Sequence, residues 1–250
     1  MPLDHYISQV HLKKFNSPAL GDRIYAIRKS DLKTFTPNSR AVCVVNDGST
    51  NAYLLEDRAI EKFLETIEPK YTSALEKLAG QKIDQECIYT IAGFVAYVIS
   101  CSPAGMRIHS GPLKSTVETT AAMMETAGLL PPQPPELAGT SLTELLQKGA
   151  VQVKIDAKYP QAMGISSILE RTATFGNFKW EILLNDFGDS PFFTSDFPAA
   201  IEKTEDPRIL NRIVPLAPNL ALRIRPDLSL ERSRCCIRGA WIIEGHVARR

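Results

Sequence analysis

The sequence has almost no net charge: 29 basic residues face 28 acidic ones, for a formal charge of +1. That balance excludes the uniformly basic footprint of a protein that grips nucleic acid along its backbone, and leaves only a local patch for such a role. Cysteine is scarce and irregular. Cys43, Cys87, Cys101, Cys235 and Cys236 make an odd count without repeating spacing, which argues against a secreted disulfide framework. No Cys-x-x-Cys pair occurs, and adjacent Cys235 and Cys236 cannot both face one tetrahedral ion, so the thiols read as buried or half-buried groups. Long apolar runs are also missing. His5, His11, Lys13 and Lys14 interrupt the N-terminal stretch, against a signal peptide. The most apolar segment, Ile88 to Cys101, is too short to span a bilayer and reads as a buried helix. The expected compartment is the cytoplasm. Signatures of well-marked enzymes are absent too: no HExxH zinc helix, no phosphate-binding Walker loop, no dinucleotide glycine fingerprint and no GxSxG elbow.

What is present is an ordinary globular composition, 44% apolar and 23% charged over 250 residues, enough for a full core. Helical spacing runs through Asp4–Phe15, with Asp4 as its cap and His5 and Gln9 on one face. Short strands are expected at 23–27, 34–36 and 41–45. A broad stripe through Ile60, Phe63, Leu64, Ile67, Tyr71, Leu75 and Leu78 predicts a helix that Pro69 kinks or divides. Asp84 caps a second helix running to Cys101, Ser102-Pro103-Ala104-Gly105 breaks it, and a third covers 113–127. Residues 131–135 form a stiff proline-rich connector, read as an exposed loop, with a protein-partner contact as its functional alternative. Short helices follow at 141–148 and 162–173. Phe178, Trp180, Ile182 and Leu184 then alternate with Lys179, Glu181, Leu183 and Asn185, the mark of a half-buried strand, and more strands follow at 192–194, 213–216 and 220–224. The expected class is α+β: a helix-rich N-terminal and central part packed against a mainly antiparallel sheet formed largely by later strands.

Two segments carry a likeness. His5-Tyr6-Ile7-Ser8-Gln9, with Leu12 and Phe15, and Pro191-Phe192-Phe193-Thr194-Ser195-Asp196-Phe197-Pro198 resemble the opening and the second pattern of the DUF4238 family. Pro215-Leu216-Ala217-Pro218 is similar to its later Pro-Leu-x-Pro turn. The resemblance implies a single DUF4238-like domain over residues 1–250, with a terminal helix truncated or absent. Ser8 stands where that family usually has proline, and Cys101-Ser102-Pro103 where Arg-Thr-Pro is common. Arg107 is then the retained basic position.

Those segments also hold the candidate chemistry. His5 can act as a neutral acceptor, a general base or a metal ligand, and Gln9 one turn later can orient a substrate, a water or His5 itself. Asp196 with Ser195 and Thr194 suits the rim of a sheet, and Asp186 and Asp189 can add carboxylates. The enzyme reading is a metal-assisted hydrolase of phosphodiesters, nuclease-like: His5, Gln9 and Asp196 catalytic, His5 and Asp196 holding Mg2+ or Mn2+, Arg107 and Ser195 binding substrate. Its alternatives are a non-catalytic ligand- or protein-binding regulatory module, in which His5, Gln9 and Asp196 only satisfy backbone groups, and a scaffold in a larger assembly. His11 is expected on a helix surface or partly buried, and His109 in a polar loop.

Overall fold

Asp4 decides how the chain begins. The computed structural model describes residues 3–131, 136, 139–226 and 248–249. The Asp4 carboxylate, expected to cap a helix, is buried and accepts the Ser49 N–H at 2.9 Å and the Arg58 guanidinium at 3.2 Å. That draws the opening residues into a short strand, β1 (Leu3–His5), and leaves a helix of only one turn, α1 (Gln9–Leu12). A two-residue hairpin follows, β2 (Ala26–Ile27) on β3 (Thr34–Phe35), and β4 (Val44–Asn46) returns to pair antiparallel with β1.

The apolar stripe forms one helix, α2 (Ala59–Ala79), with Ile60, Phe63, Leu64, Ile67, Tyr71, Leu75 and Leu78 all buried. Pro69 lies inside it without dividing it. An interior proline costs about 3 kcal/mol, whereas each fully buried large apolar side chain gives about 1.5–3 kcal/mol. The stripe therefore wins. Asp84 does cap the next helix, α3 (Gln85–Cys101), accepting the Cys87 N–H at 2.8 Å, and nearly every residue from Cys87 onward is buried. Ser102-Pro103 starts a helix rather than ending one: α4 (Pro103–Thr126) begins well before the expected Leu113. Ser102 Oγ accepts the Gly105 N–H at 3.1 Å, and Pro103 occupies the first turn, where a missing N–H is no loss. The two helices bend by 59° at this corner. Among the described residues no single helix is long and apolar enough to cross a membrane.

After α5 (Leu142–Gln147), α6 (Lys158–Ser166) and α7 (Ile168–Asn177), the chain enters its sheet. The strands are β5 (Lys179–Leu184), β6 (Ala200–Lys203), β7 (Leu210–Ala217), β8 (Leu220–Arg225) and β9 (Ala248–Arg249), in the spatial order β6-β7-β8-β5-β9. All pairings are antiparallel except β5 with β9. The expected strand at 192–194 is irregular chain instead.

Register assigns the two faces, because residues directly opposite across a ladder point the same way. Trp180, Ile182, Val214, Leu220, Leu222 and Ile224 share the face that joins the helical core. The opposite face carries a charged ladder: Arg223 donates to Glu181 and Glu202, both at 2.9 Å, and Arg225 donates to Glu181. The architecture is α+β, as the sequence pattern predicts. Cys87 and Cys101 are buried free thiols and Cys43 is half-buried. Residues 132–135 of the connector, Cys235, Cys236 and His246 lie outside the described residues.

Candidate functional site

Pairing of β1 with β4 fixes the first motif. Tyr6 continues that contact by donating its N–H to the Cys43 carbonyl at 2.9 Å. Cys43 has φ of 56°, a left-handed conformation that side chains other than glycine seldom adopt and that costs on the order of 1 kcal/mol or more. His5 Nε2 donates to the Ser39 carbonyl at 3.2 Å. A carbonyl only accepts, so the neutral ring carries its proton on Nε2 and keeps its lone pair on Nδ1. Gln9 Nε2 lies 3.5 Å from that Nδ1, at the outer limit of a hydrogen bond. The His5 and Gln9 side chains thus meet as expected, although His5 is in a strand and only Gln9 in a helix. Tyr97 fastens the His5 main chain, donating its hydroxyl to the carbonyl at 2.9 Å.

The second motif is held from behind. Thr194 Oγ1 lies 2.8 Å from His11 Nε2, and Tyr71 Oη lies 2.8 Å from His11 Nδ1. His11 is wholly buried and stacks on Phe94 with ring centroids 4.8 Å apart. Burial alone lowers its pKa to about 3, so it is neutral. The expected surface or partly buried histidine is a core hinge pin between two distant motifs. Ser195 Oγ accepts the Phe197 N–H at 3.1 Å and shapes the turn that presents Asp196, which is exposed.

Both motifs and the start of α4 come together electrically at Tyr6. Burial pushes the half-buried Tyr6 phenol well above the usual range; Cys43, by charge and hydrogen bond, and Asp196 push it further, and Arg107 opposes them. Burial likewise raises the Cys43 thiol to about 11, with the Tyr6 hydrogen bond opposing and Asp196 adding to the rise. Cys43 is therefore a protonated, unreactive thiol near neutral pH. Asp196 and Arg107, far apart in sequence, both act on one phenol, and both are exposed. Among the described residues, neither side chain is taken up by an ion pair. Tyr6 and Cys43 are site members that the sequence reading missed. Tyr6 was legible only as an apolar helix position, and Cys43 carried no signal.

Asp186 and Asp189 lie in an exposed turn. Among the described residues, no group of three or more histidine, cysteine or acidic side chains is arranged to hold a metal ion. Among the described residues, His5 and Asp196 therefore have no third histidine, cysteine or acidic side chain grouped with them. The remaining fit is the one Mg2+ often uses, one carboxylate plus phosphate oxygens of the substrate.

A layer of helices on a mainly antiparallel sheet, with the two motifs joined through a buried histidine, defines an α+β protein. The family model described as protein of unknown function (DUF4238) matches residues 4–247, and the chain belongs to that family. Comparisons with curated proteins and with solved structures gave no match.

Proposed function

We propose that this chain, as one domain over residues 1–250, binds and hydrolyses phosphodiesters in the cytoplasm, at the surface around Tyr6. The observation that carries this reading is the convergence of an exposed carboxylate, Asp196, and an exposed guanidinium, Arg107, on one half-buried phenol. Arg107 would neutralise a phosphoryl oxygen, the kind of charge stabilisation that dominates such reactions. Asp196 would orient the attacking water, with the remaining Ser195 O–H as a substrate contact. His5 Nδ1 is the basic lone pair, steered by Gln9. Mg2+ or Mn2+, arriving with substrate, would supply further charge neutralisation.

The test is cleavage of single- and double-stranded DNA and RNA by the purified protein, with Mg2+ or Mn2+ and with an Asp196→Ala control. Asp196 is exposed, so the control is expected to fold and to lose about a hundredfold or more in rate. Equal cleavage by the folded control would remove Asp196 from the site. The second reading is the non-catalytic binding module. It is favoured by the number of local bonds already made: His5 to Ser39, Tyr97 to His5, and Ser195 to Phe197. Folded protein that retains a nucleic acid or a peptide without cleaving anything would turn the balance to this reading.

A further inference from the structure

Most charged residues of the later strands are matched. Arg223 and Arg225 meet Glu181 and Glu202, and Arg208 meets Asp206 at 2.6 Å. Arg212 is different. It stands opposite Ile201 on β6 and Ile224 on β8, so it belongs to the apolar face of the sheet that turns toward the helices. It is half-buried, burial lowers its pKa, and among the described residues its side chain has no hydrogen bond and no ion pair.

The helical layer meets it with more positive charge. Arg171 on α7 donates from Nη1 to Ser100 Oγ on α3 at 3.1 Å, and the same Nη1 lies 3.4 Å from His109 Nε2 on α4. Ser100 is fully buried, so this anchor is rigid. His109 is half-buried. Its pKa is lowered by burial first, and then by the charges of Arg171 and Arg212, while a bond to the Ile99 main chain opposes them. No carboxylate acts on His109, and Arg171 and Arg212 make no ion pair among the described residues. Arg171 thus touches the His109 imidazole and Arg212 adds positive potential to it from the sheet, and among the described residues no carboxylate offsets them. Like charges gathered in a half-buried place are unfavourable unless an anion joins them.

The donors left over have the right form for an oxyanion. Nη1 is the anchored atom of Arg171; its Nε and Nη2 have no partner among the described residues. That free edge is the fork that binds a phosphate or carboxylate with two parallel hydrogen bonds. The guanidinium donors of half-buried Arg212 likewise have no partner among the described residues. We propose that Arg171, Arg212 and His109 form a binding site for a phosphate-class oxyanion beside the packing of α3 on α4 and α7, with Arg212 supplied from the apolar face of the sheet. His109 and Arg107 are two positions apart on α4 and so point to nearly opposite sides of the helix. The site shares no donor with the Tyr6 cluster and stands whether or not the chain cleaves phosphodiesters.

Inorganic phosphate, and separately glycerol phosphate, would be titrated into the full chain at constant ionic strength, with chloride as the control anion, and followed by calorimetry. The expected result is saturable one-to-one binding, weakened about tenfold to a hundredfold by Arg171→Met or Arg212→Met. Lys114→Gln, a surface change elsewhere on α4, leaves it unaltered. Tighter binding of one of the two compounds identifies free phosphate or a phosphomonoester as the better ligand. Thermal melts without phosphate establish that the variants fold. A readout free of variants is the His109 ring resonance, expected to move on phosphate addition while that of sealed His11 stays fixed. Failure of phosphate compounds to bind saturably, an unmoved His109 resonance, or equal binding by both folded methionine variants would each overturn the assignment.

Discussion

Replacing Gly105 with alanine is expected to lower stability by about 3 kcal/mol or more, read as a fall in melting temperature of roughly 10 °C. The new Cβ would lie 2.1 Å from the Ile99 carbonyl oxygen and 2.8 Å from its carbon. Those are main-chain atoms of α3, so no rotamer change can relieve the overlap. Gly105 is where α4 folds back beside the end of α3, and its own N–H is tied to the buried Ser102 hydroxyl. Moving Ile99 means moving the last turn of the most buried helix in the protein. Gly111→Ala in the same helix is the control. Nothing lies within 4 Å of its added Cβ, and alanine is the better helix former by about 1 kcal/mol. That variant is expected to match or exceed the parent. Gly105→Ala melting within a degree or so of the parent would show that the corner tolerates a side chain.

The second large effect is on acid stability and comes from His11. Its folded pKa is depressed from 6.5 to about 3, so the unfolded chain binds this proton more readily than the folded one. Its contribution is therefore fully present above pH 6.5 and is lost as pH falls toward 3, with a limiting slope of about 1.4 kcal/mol per pH unit. His109, also shifted down, adds the same sign over its own window. Below about pH 4.5 the carboxylates held low by their partners, Glu125, Glu181 and Asp206 among them, add a further loss of the same sign. The histidine effect is best read between pH 6.5 and 4.5, as the denaturant midpoint against pH. His11→Leu is expected to be less stable at pH 7, because Tyr71 and Thr194 lose a partner at about 1–3 kcal/mol each. It is also expected to respond less steeply to acid. An undiminished slope in that variant would assign the acid sensitivity to other groups.

How far the sequence could be read follows from the range of the forces involved. The α2 stripe, the Asp84 cap and the β5 alternation are local signals, and each appears in the structure as its residues predict. Ser102-Pro103 is local too, but ambiguous, because the same pair can end one helix or begin another; the cap on Gly105 decides. Asp4 looks like a helix cap in the sequence because its partners, Ser49 and Arg58, are brought to it by chain crossings that no neighbouring residue announces. In the candidate site, the two family-like segments and Arg107 were visible as motifs. The contact of His5 with Gln9 was legible from their spacing, for a helix that did not form there. Tyr6, Cys43 and the His109–Arg171–Arg212 group were not visible, since each depends on chain crossings that pattern alone does not encode.

The bond between His11 and Thr194 joins residues 183 positions apart. It passes through the core, one side holding the segment after His5 and Gln9, the other the turn that carries Ser195 and Asp196. Neither half can drift while the other stays seated, so the surface around Tyr6 is expected to be assembled or dismantled as a unit. A probe attached near Asp196 should then report the same unfolding midpoint as the tryptophan in β5, and the polar surface inherits the cooperativity of the whole domain.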